Sequence, residues 1–403
     1  MPRQHGVVQL TRLYCRPAML VGLAVATSVL ISGCWDRQEL DRVTIVTALG
    51  IDAAGITDFK VTAQIAGLTK APAAGGSSKI GASDQAALTT YSGTGLTVAD
   101  AITRGLYQVS THKMYFPHDA AVVLGNEAAR RGMDSVMDFL LRHQEFRANM
   151  WVLIARSDAE SVIKTPMGHE TVPARALAAL VENEIRVGNA RASQLHLLAE
   201  QMLDKTRAAT TALVAVDSQG AQPGLNVVGT AVLKKGGLVG ELDQRSTRGL
   251  MWALGEVKGG SITVQCKCGG YCSIMVNHVK GEITGKMKDG RPEITVTVTE
   301  AATVDSLECS EDLTWPGTIE FLNAQQTQLI EGEIREALKR AREMNADIFG
   351  FGAAVHAKYR GDWKAIEGQW DTLFAEAAIN IKVQARLQYI SLLSRPFVTR
   401  EAK

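Results

Sequence analysis

From Ile379 to Tyr389 polar and apolar residues alternate without a break. Ile379, Ile381, Val383, Ala385, Leu387 and Tyr389 share one face, and Asn380, Lys382, Gln384, Arg386 and Gln388 share the other. Period two predicts a strand with one buried and one wetted face. Phe59, Val61, Ala63 and Ile65 repeat the pattern after a β-branched apolar run, Val43–Ile51, which predicts a fully buried strand. Asp52 and Gly55 supply the turn between them. Elsewhere the period lengthens. Val98, Ala101, Ile102, Gly105, Leu106 and Val109 fall on one helical face, as do Met133, Val136, Met137, Leu140 and Leu141. Short strands are predicted at Ala120–Leu124, Trp151–Ala155 and Thr210–Val216. Helices are predicted at Ser157–Lys164, Val172–Asn183 and Ser193–Asp204.

Turn formers concentrate at Asp217–Gly224 and mark a first boundary. Beyond it, Val227–Leu233 and Leu238–Leu242 predict a hairpin around Gly236-Gly237. A short helix is predicted at Thr247–Leu254, with strands at Ser261–Val264, Ile274–His278 and Ile294–Val298. A second break at Trp315-Pro316-Gly317 precedes Thr318, the expected N-cap of a long helix burying Leu322, Leu329, Ile330, Ile334, Ala337, Leu338 and Ala341. Ile366, Trp370, Leu373 and Phe374 mark another helix. Helices and strands interleave irregularly, which predicts an α+β fold. Three domains are expected: an N-terminal α+β domain over 34–216, a β-rich middle domain over 225–313 and a C-terminal α+β domain over 314–397. Each is a mixed or antiparallel sheet packed with helices. Ala71–Ser83, rich in Gly, Ala and Ser, predicts a flexible loop and lacks the spacing of a phosphate-binding loop.

Charge changes this picture at the N-terminus. The 403 residues carry 43 Lys+Arg and 42 Asp+Glu, a net charge of +1, and 46% are hydrophobic. That balance excludes a disordered chain and argues against a nucleic-acid binder. It is not uniform, however. No acidic residue precedes Asp36, and the first 33 residues carry Arg3, Arg12 and Arg16 alone. Met19–Ile31 is apolar or small throughout and spans about 20 Å as a helix, short of a bilayer core. A basic start, an apolar stretch and Ser32-Gly33 before Cys34 make residues 1–33 a signal peptide with a lipobox-like end. Cys34 is then the expected lipidation site and mature N-terminus, and its two acyl chains anchor the protein to a membrane.

With these segments in place, the chain resembles the Ger(x)C family, lipoprotein C-subunits of bacterial spore germinant receptors. The residues that carry the resemblance run in order through the chain. Cys34-Trp35-Asp36-Arg37-Gln38-Glu39-Leu40 leads into Val46-Thr47-Ala48-Leu49-Gly50-Ile51-Asp52. Gly229-Thr230-Ala231-Val232-Leu233-Lys234 is followed by Leu238–Leu242 and Thr247-Arg248-Gly249-Leu250. Asp347-Ile348-Phe349-Gly350-Phe351-Gly352 precedes His356, Lys358-Tyr359, Trp363 and Trp370. The resemblance implies a non-enzymatic, three-domain α+β lipoprotein on the outer face of the spore inner membrane. It also implies assembly with A- and B-type membrane subunits that respond to nutrients. It brings no catalytic residue, cofactor or metal. Gly50, Gly350 and Gly352 are expected at tight turns or positive φ. Trp363 and Trp370, seven apart, pack in a core or meet a partner. Trp35, Asp36, Arg37 and Trp363 are the candidate partner surface. A solute-binding lipoprotein is the main alternative, and a hydrolase or metalloenzyme a more distant one.

Cys266, Cys268, Cys272 and Cys309 lie outside the resemblance. A three-residue loop, Gly269-Gly270-Tyr271, would set Cys268 opposite Cys272 and make that the first disulfide, with Cys266 and Cys309 as a second pair. Free thiols and a Cys₄ zinc site are the alternatives, the latter with tighter spacing than the usual knuckle. An extracytoplasmic setting favours the disulfides. His112 and His118 flank a Lys-Met-Tyr-Phe-Pro segment without a third ligand at matching spacing. His143, His169, His196, His278 and His356 have no such context either. The motifs G-x-S-x-G and H-E-x-x-H do not occur.

Overall fold

The computed structural model describes residues 43–66, 89–110, 112–167, 172–217, 223–309 and 311–389. The leader, Cys34, Trp35, Asp36, Arg37 and the glycine-rich segment 71–83 lie outside these residues. The described chain is α+β, with its strands gathered into two sheets.

The larger sheet holds β1 (Val43–Ala54), β2 (Asp58–Ile65), β3 (Thr89–Gly95), β4 (Lys113–Tyr115), β5 (Ala121–Leu124), β6 (Trp151–Ala155), β7 (Ser193–Gln194), β8 (Ala209–Asp217), β9 (Gly224–Lys234) and β10 (Gly237–Asp243). Its order is β10-β9-β8-β6-β5-β1-β2-β3, with β4 on β1 and β7 on β6. The four central strands, β8, β6, β5 and β1, run parallel, and the strands outside them are antiparallel. Parallel strands need cover on both faces, which is why β5 and β6 read as unbroken apolar runs. One face packs against residues of 98–109, Asp134–Arg142 and Leu195–Leu203. The other packs against the helices Ala159–Lys164 and Pro173–Arg186. The parallel centre was hidden from the element order, because β1 reaches β5 only after the antiparallel excursion through β2 and β3.

The smaller sheet is β11 (Ser261–Gln265), β12 (Tyr271–Lys288), β13 (Arg291–Glu308) and β14 (Ala378–Tyr389). β14 joins β13 in parallel and the rest are antiparallel. The expected alternation of β14 holds, with Ile381 and Ala385 buried and Lys382, Gln384 and Arg386 exposed. β12 and β13 are 18 residues each, far beyond the expected Ile274–His278 and Ile294–Val298. They turn at Asp289-Gly290, both at positive φ (51° and 77°), the geometry of a two-residue hairpin loop. Lys235-Gly236 turns the β9–β10 hairpin in the same way (51° and 77°). That hairpin follows the expected boundary at Asp217–Gly224, yet it pairs with β8 and completes the larger sheet.

The long helix spans Pro316–Glu343 and begins two residues before the expected N-cap, Thr318. Proline suits a first helical turn, because its φ is preset and its missing N–H has no partner there anyway. This helix lies against β14 and against the helix Gln244–Leu254. The second contact is very close: a β-carbon on Gly249 would stand 2.0 Å from the carbonyl oxygen of Glu333. Gln244–Leu254 also packs on β9, β10, β12 and β13, so it joins the two sheets through one apolar core around Trp252.

Candidate functional site

The motif residues around Asp347 converge on the seam between the sheets. Asp347 is buried there. Its Oδ1 accepts from the backbone N–H groups of Gly350 (2.9 Å) and Phe351 (3.1 Å), and its Oδ2 accepts from Gly352 N–H (2.8 Å) and the Trp370 indole N–H (3.1 Å). Burial pushes this carboxyl up to about 6, while the four donors pull it the other way. The Asp347 carbonyl accepts from Ala208 N–H (2.8 Å), which ties the turn to the start of β8. Gly350 opens the helix Phe351–Lys358 at φ 75°, as expected for a glycine.

Gly352 serves a different need from the expected one. A β-carbon there would stand 2.4 Å from Thr206 O, 2.9 Å from Trp370 Nε1 and 3.0 Å from Trp363 Cη2. Gly50 is likewise a matter of space, since its β-carbon would meet Ile163 Cγ1 at 2.9 Å. Trp363 and Trp370 are each only 4% exposed, with ring centroids 5.3 Å apart. The helix breaks between them at the 3₁₀ turn Glu367–Gln369, which lets both rings fold onto Gly352. Trp363 is therefore a core residue and not an accessible partner surface. Trp35, Asp36 and Arg37, the other candidates for that surface, fall outside the described residues.

A cleft of about 560 Å³ adjoins this seam. Ion pairs cross it: Lys205–Glu367 (3.4 Å), Lys234–Asp371 (2.8 Å) and Lys235–Asp371 (4.0 Å). A second cleft of about 1000 Å³ is lined by Arg156, Glu184, Asn189, Asp243, Arg245 and Arg248 among others. At its floor Arg248 grips Glu333 with two donors, Nε at 2.8 Å and Nη2, and Trp252 Nε1 donates to the same carboxylate at 2.9 Å. Glu333 is 2% exposed, and its hydrogen bonds raise the Arg248 pKa despite burial. Asp52, at the end of β1, accepts from Ala159 N–H (2.7 Å) and Glu160 N–H (2.9 Å) and so caps that helix, although burial raises its pKa.

Two other buried carboxyls lack hydrogen-bond partners. Asp119 is pushed well above the usual carboxylate range by burial and by nearby Glu145. Glu300 sits on the inner face of β13 between Val298 and Ala302 and is 1% exposed. Burial pushes it up to about 7, and the Arg386 backbone N–H offsets this only in part, without a well-formed hydrogen bond. Neither position is marked in the sequence, because no local pattern shows that a loop residue such as Asp119 or a strand residue such as Glu300 faces inward without a partner.

The cysteines depart from the expected pairing. Cys266 and Cys309 form the disulfide, with Cα atoms 6.7 Å apart. Cys268 and Cys272 are free, the first exposed and the second buried. The loop is five residues, 266–270, closed by Cys266 N–H to Gly270 O (2.7 Å). Gln265 therefore opposes Tyr271, and Cys272 opposes Val264 and Leu307, not Cys268. His112 and His118 are both exposed. Among the described residues neither belongs to the one group of three potential metal ligands, Cys266, Cys309 and Glu311.

Comparison with known proteins agrees with the motif reading. Residues 36–216 match the family model described as spore germination protein N-terminal domain, and residues 228–391 match spore germination B3/GerAC like, C-terminal. Spore germination protein KC of Bacillus subtilis (strain 168) is 25% identical over 94% of this chain and 98% of its own length. Spore germination proteins B3 and A3 of the same strain are 20% and 23% identical, over 89% and 88% of this chain and 94% and 93% of theirs. A crystal structure of the GerBC protein shares the fold, with a TM-score of 0.52 at 16% identity, over 84% of this chain and 96% of that one.

Proposed function

The chain belongs to the Ger(x)C family of spore germination proteins, and on that premise we propose that it is the membrane-anchored C-subunit of a spore germinant receptor. Its anchor is a diacylglycerol on Cys34, made the N-terminus by removal of residues 1–33. It works on the extracytoplasmic face of the spore inner membrane, assembled with A- and B-type membrane subunits. The observation that carries this reading is the pair of family models over 36–216 and 228–391. Asp52, Asp347 and Glu333 direct their hydrogen bonds to partners within the fold, which gives these three carboxylates structural roles. No helix among the described residues is long and apolar enough to cross a membrane. Two acyl chains on one cysteine are sufficient for stable attachment.

Deletion of the gene, scored against a nutrient panel and a non-nutrient trigger, tests the proposal. Loss of the nutrient response alone is expected, and unchanged germination in a strain without a redundant receptor overturns it. The polar cleft of about 1000 Å³ favours a second reading, a solute-binding lipoprotein. Calorimetry with the nutrients that trigger germination separates the two, since only the second requires saturable binding to this chain alone.

A further inference from the structure

At one end of the smaller sheet the β11–β12 loop meets the end of β13, and sulfur and carboxylate gather there. The Cys266 and Cys309 Sγ atoms and a Glu311 carboxylate oxygen all lie within 4.8 Å of one another. The Cys268 backbone N–H donates to Glu311 Oε1 at 3.0 Å, which holds the loop carrying a free, exposed thiol against the same carboxylate. The four residues form two pairs, Cys266-x-Cys268 and Cys309-x-Glu311. Gly270 lets the pairs approach: a β-carbon on it would stand 2.2 Å from Glu308 O and 2.8 Å from Cys309 Cβ. We propose that this tip is a redox-gated site for a thiophilic divalent cation. It is a disulfide when oxidised, and in the dithiol state it binds Zn²⁺ through Cys266, Cys309, Cys268 and Glu311.

The donor set fits that ion. Zinc takes four ligands in a tetrahedron, with thiolates at about 2.3 Å and carboxylate oxygens at about 2.0–2.2 Å. Two sulfurs and one oxygen are already gathered, and the exposed Cys268 thiol, outside that group but on the loop bound to Glu311, swings in as the fourth. Cys309 and Glu311 are half-buried and Cys268 is exposed, so an ion and a reductant both have a path to the site. Cys272 points into the core beside the site, where burial first and then the nearby Glu311 charge push its thiol up to about 11. The gating step is balanced. A dithiol reductant attacks the Cys266–Cys309 bond through its thiolate, and its second thiol resolves the mixed disulfide. Two electrons and two protons pass to Cys266 and Cys309, and the reductant leaves as a disulfide. Zn²⁺ then replaces the thiol protons, which go to solvent.

The test uses purified full-length protein in detergent, with Zn²⁺ titrated against a chromogenic chelator and Co²⁺ as a spectroscopic substitute. Dithiol-treated protein is expected to bind one Zn²⁺ per chain and to show thiolate-to-cobalt charge transfer, and oxidised protein to do neither. Cys268→Ser and Glu311→Gln alter exposed or half-buried side chains and leave the disulfide intact, so they keep the fold. Each should weaken zinc binding by about tenfold or more, since outer-shell partners alone cost that much. The proposal is overturned if reduced protein binds no stoichiometric zinc, if oxidised protein binds it equally well, or if both variants match the parent.

Discussion

The indole N–H of Trp370 donates to Asp347 Oδ2 across 3.1 Å and so locks the helix Trp370–Glu376 to the turn that begins the helix Phe351–Lys358. The lock depends on Gly352, whose absent side chain leaves room for both tryptophans. Gly352→Ala forces a β-carbon to within 2.4 Å of Thr206 O, a contact backbone cannot relieve cheaply. Overpacking of this kind costs about 1–3 kcal/mol. Trp370→Phe keeps an aromatic ring but withdraws one donor from a buried carboxylate, a loss of similar size. Urea denaturation of both variants should show midpoints clearly below that of the parent.

Arg248 and Glu333 provide a sharper contrast. Arg248→Met leaves the Glu333 charge buried with the Trp252 indole as its remaining side-chain donor, and should cost about 3–5 kcal/mol. The double variant Arg248→Met/Glu333→Leu removes both charges from the seam. It should recover most of that loss, because a buried ion pair replaced by apolar groups is often near neutral. A double-mutant cycle by chemical denaturation measures the coupling.

The sulfur assignment is open to direct mass measurement. Reduction of the intact protein should add two hydrogens from the Cys266–Cys309 bond, and peptide mapping should recover those two cysteines linked. A Cys268–Cys272 bridge in the same map would restore the three-residue loop that spacing alone suggested.

What the sequence revealed, and what it hid, follows from where the information sits. β14 was legible because its buried and exposed faces alternate strictly, and Trp151–Ala155 because an apolar run of that length between turns has few other fates. The outer halves of β12 and β13 were not. Past Val279, β12 reads Lys280-Gly281-Glu282, and its side chains are mostly exposed, so backbone pairing holds it with little apolar signal. The marker present was Asp289-Gly290, a hairpin dipeptide. The motif around Asp347 was visible as a pattern but not as a device. Its three backbone donors come from residues three to five places on, and its fourth from an indole 23 residues away. The cysteine pairing failed for a related reason, because the chain turns at 266–270, so Cys272 falls opposite Val264 and Cys268 stays in the loop.

The lipid anchor has its own test. Cys34→Ala removes the thiol that would receive diacylglycerol, and the precursor should accumulate uncleaved, heavier by the leader 1–33. The gel mobility and membrane partition of epitope-tagged protein report both effects. Normal processing with full membrane retention would show that Cys34 is not the anchor.

Glu300 sets a pH dependence whose sign is fixed by its environment. An ordinary glutamate has a pKa of 4.5, and burial on the inner face of β13 pushes this one up to about 7. Between those values the folded protein keeps a proton that the unfolded chain has released. Folding stability contributed by this site is therefore greatest at acid pH, falls as pH rises through the window and levels off above about 7. The total is on the order of 3 kcal/mol. Asp347, raised from 3.8 to about 6, and Asp119, raised well above the usual carboxylate range, tilt the curve the same way, so the Glu300 share is read as the difference between the parent and a Glu300 variant. Glu300→Gln keeps the shape and cannot ionise. Its stability should fall less steeply than the parent's as pH rises from 4.5 to 7, and should lie above the parent at pH 8 and converge with it near pH 4. Denaturation midpoints at a series of pH values decide the matter. A parent whose stability rises between pH 6 and 7, or a variant less stable than the parent at pH 8, would mean that Glu300 is ionised in the fold and holds a partner.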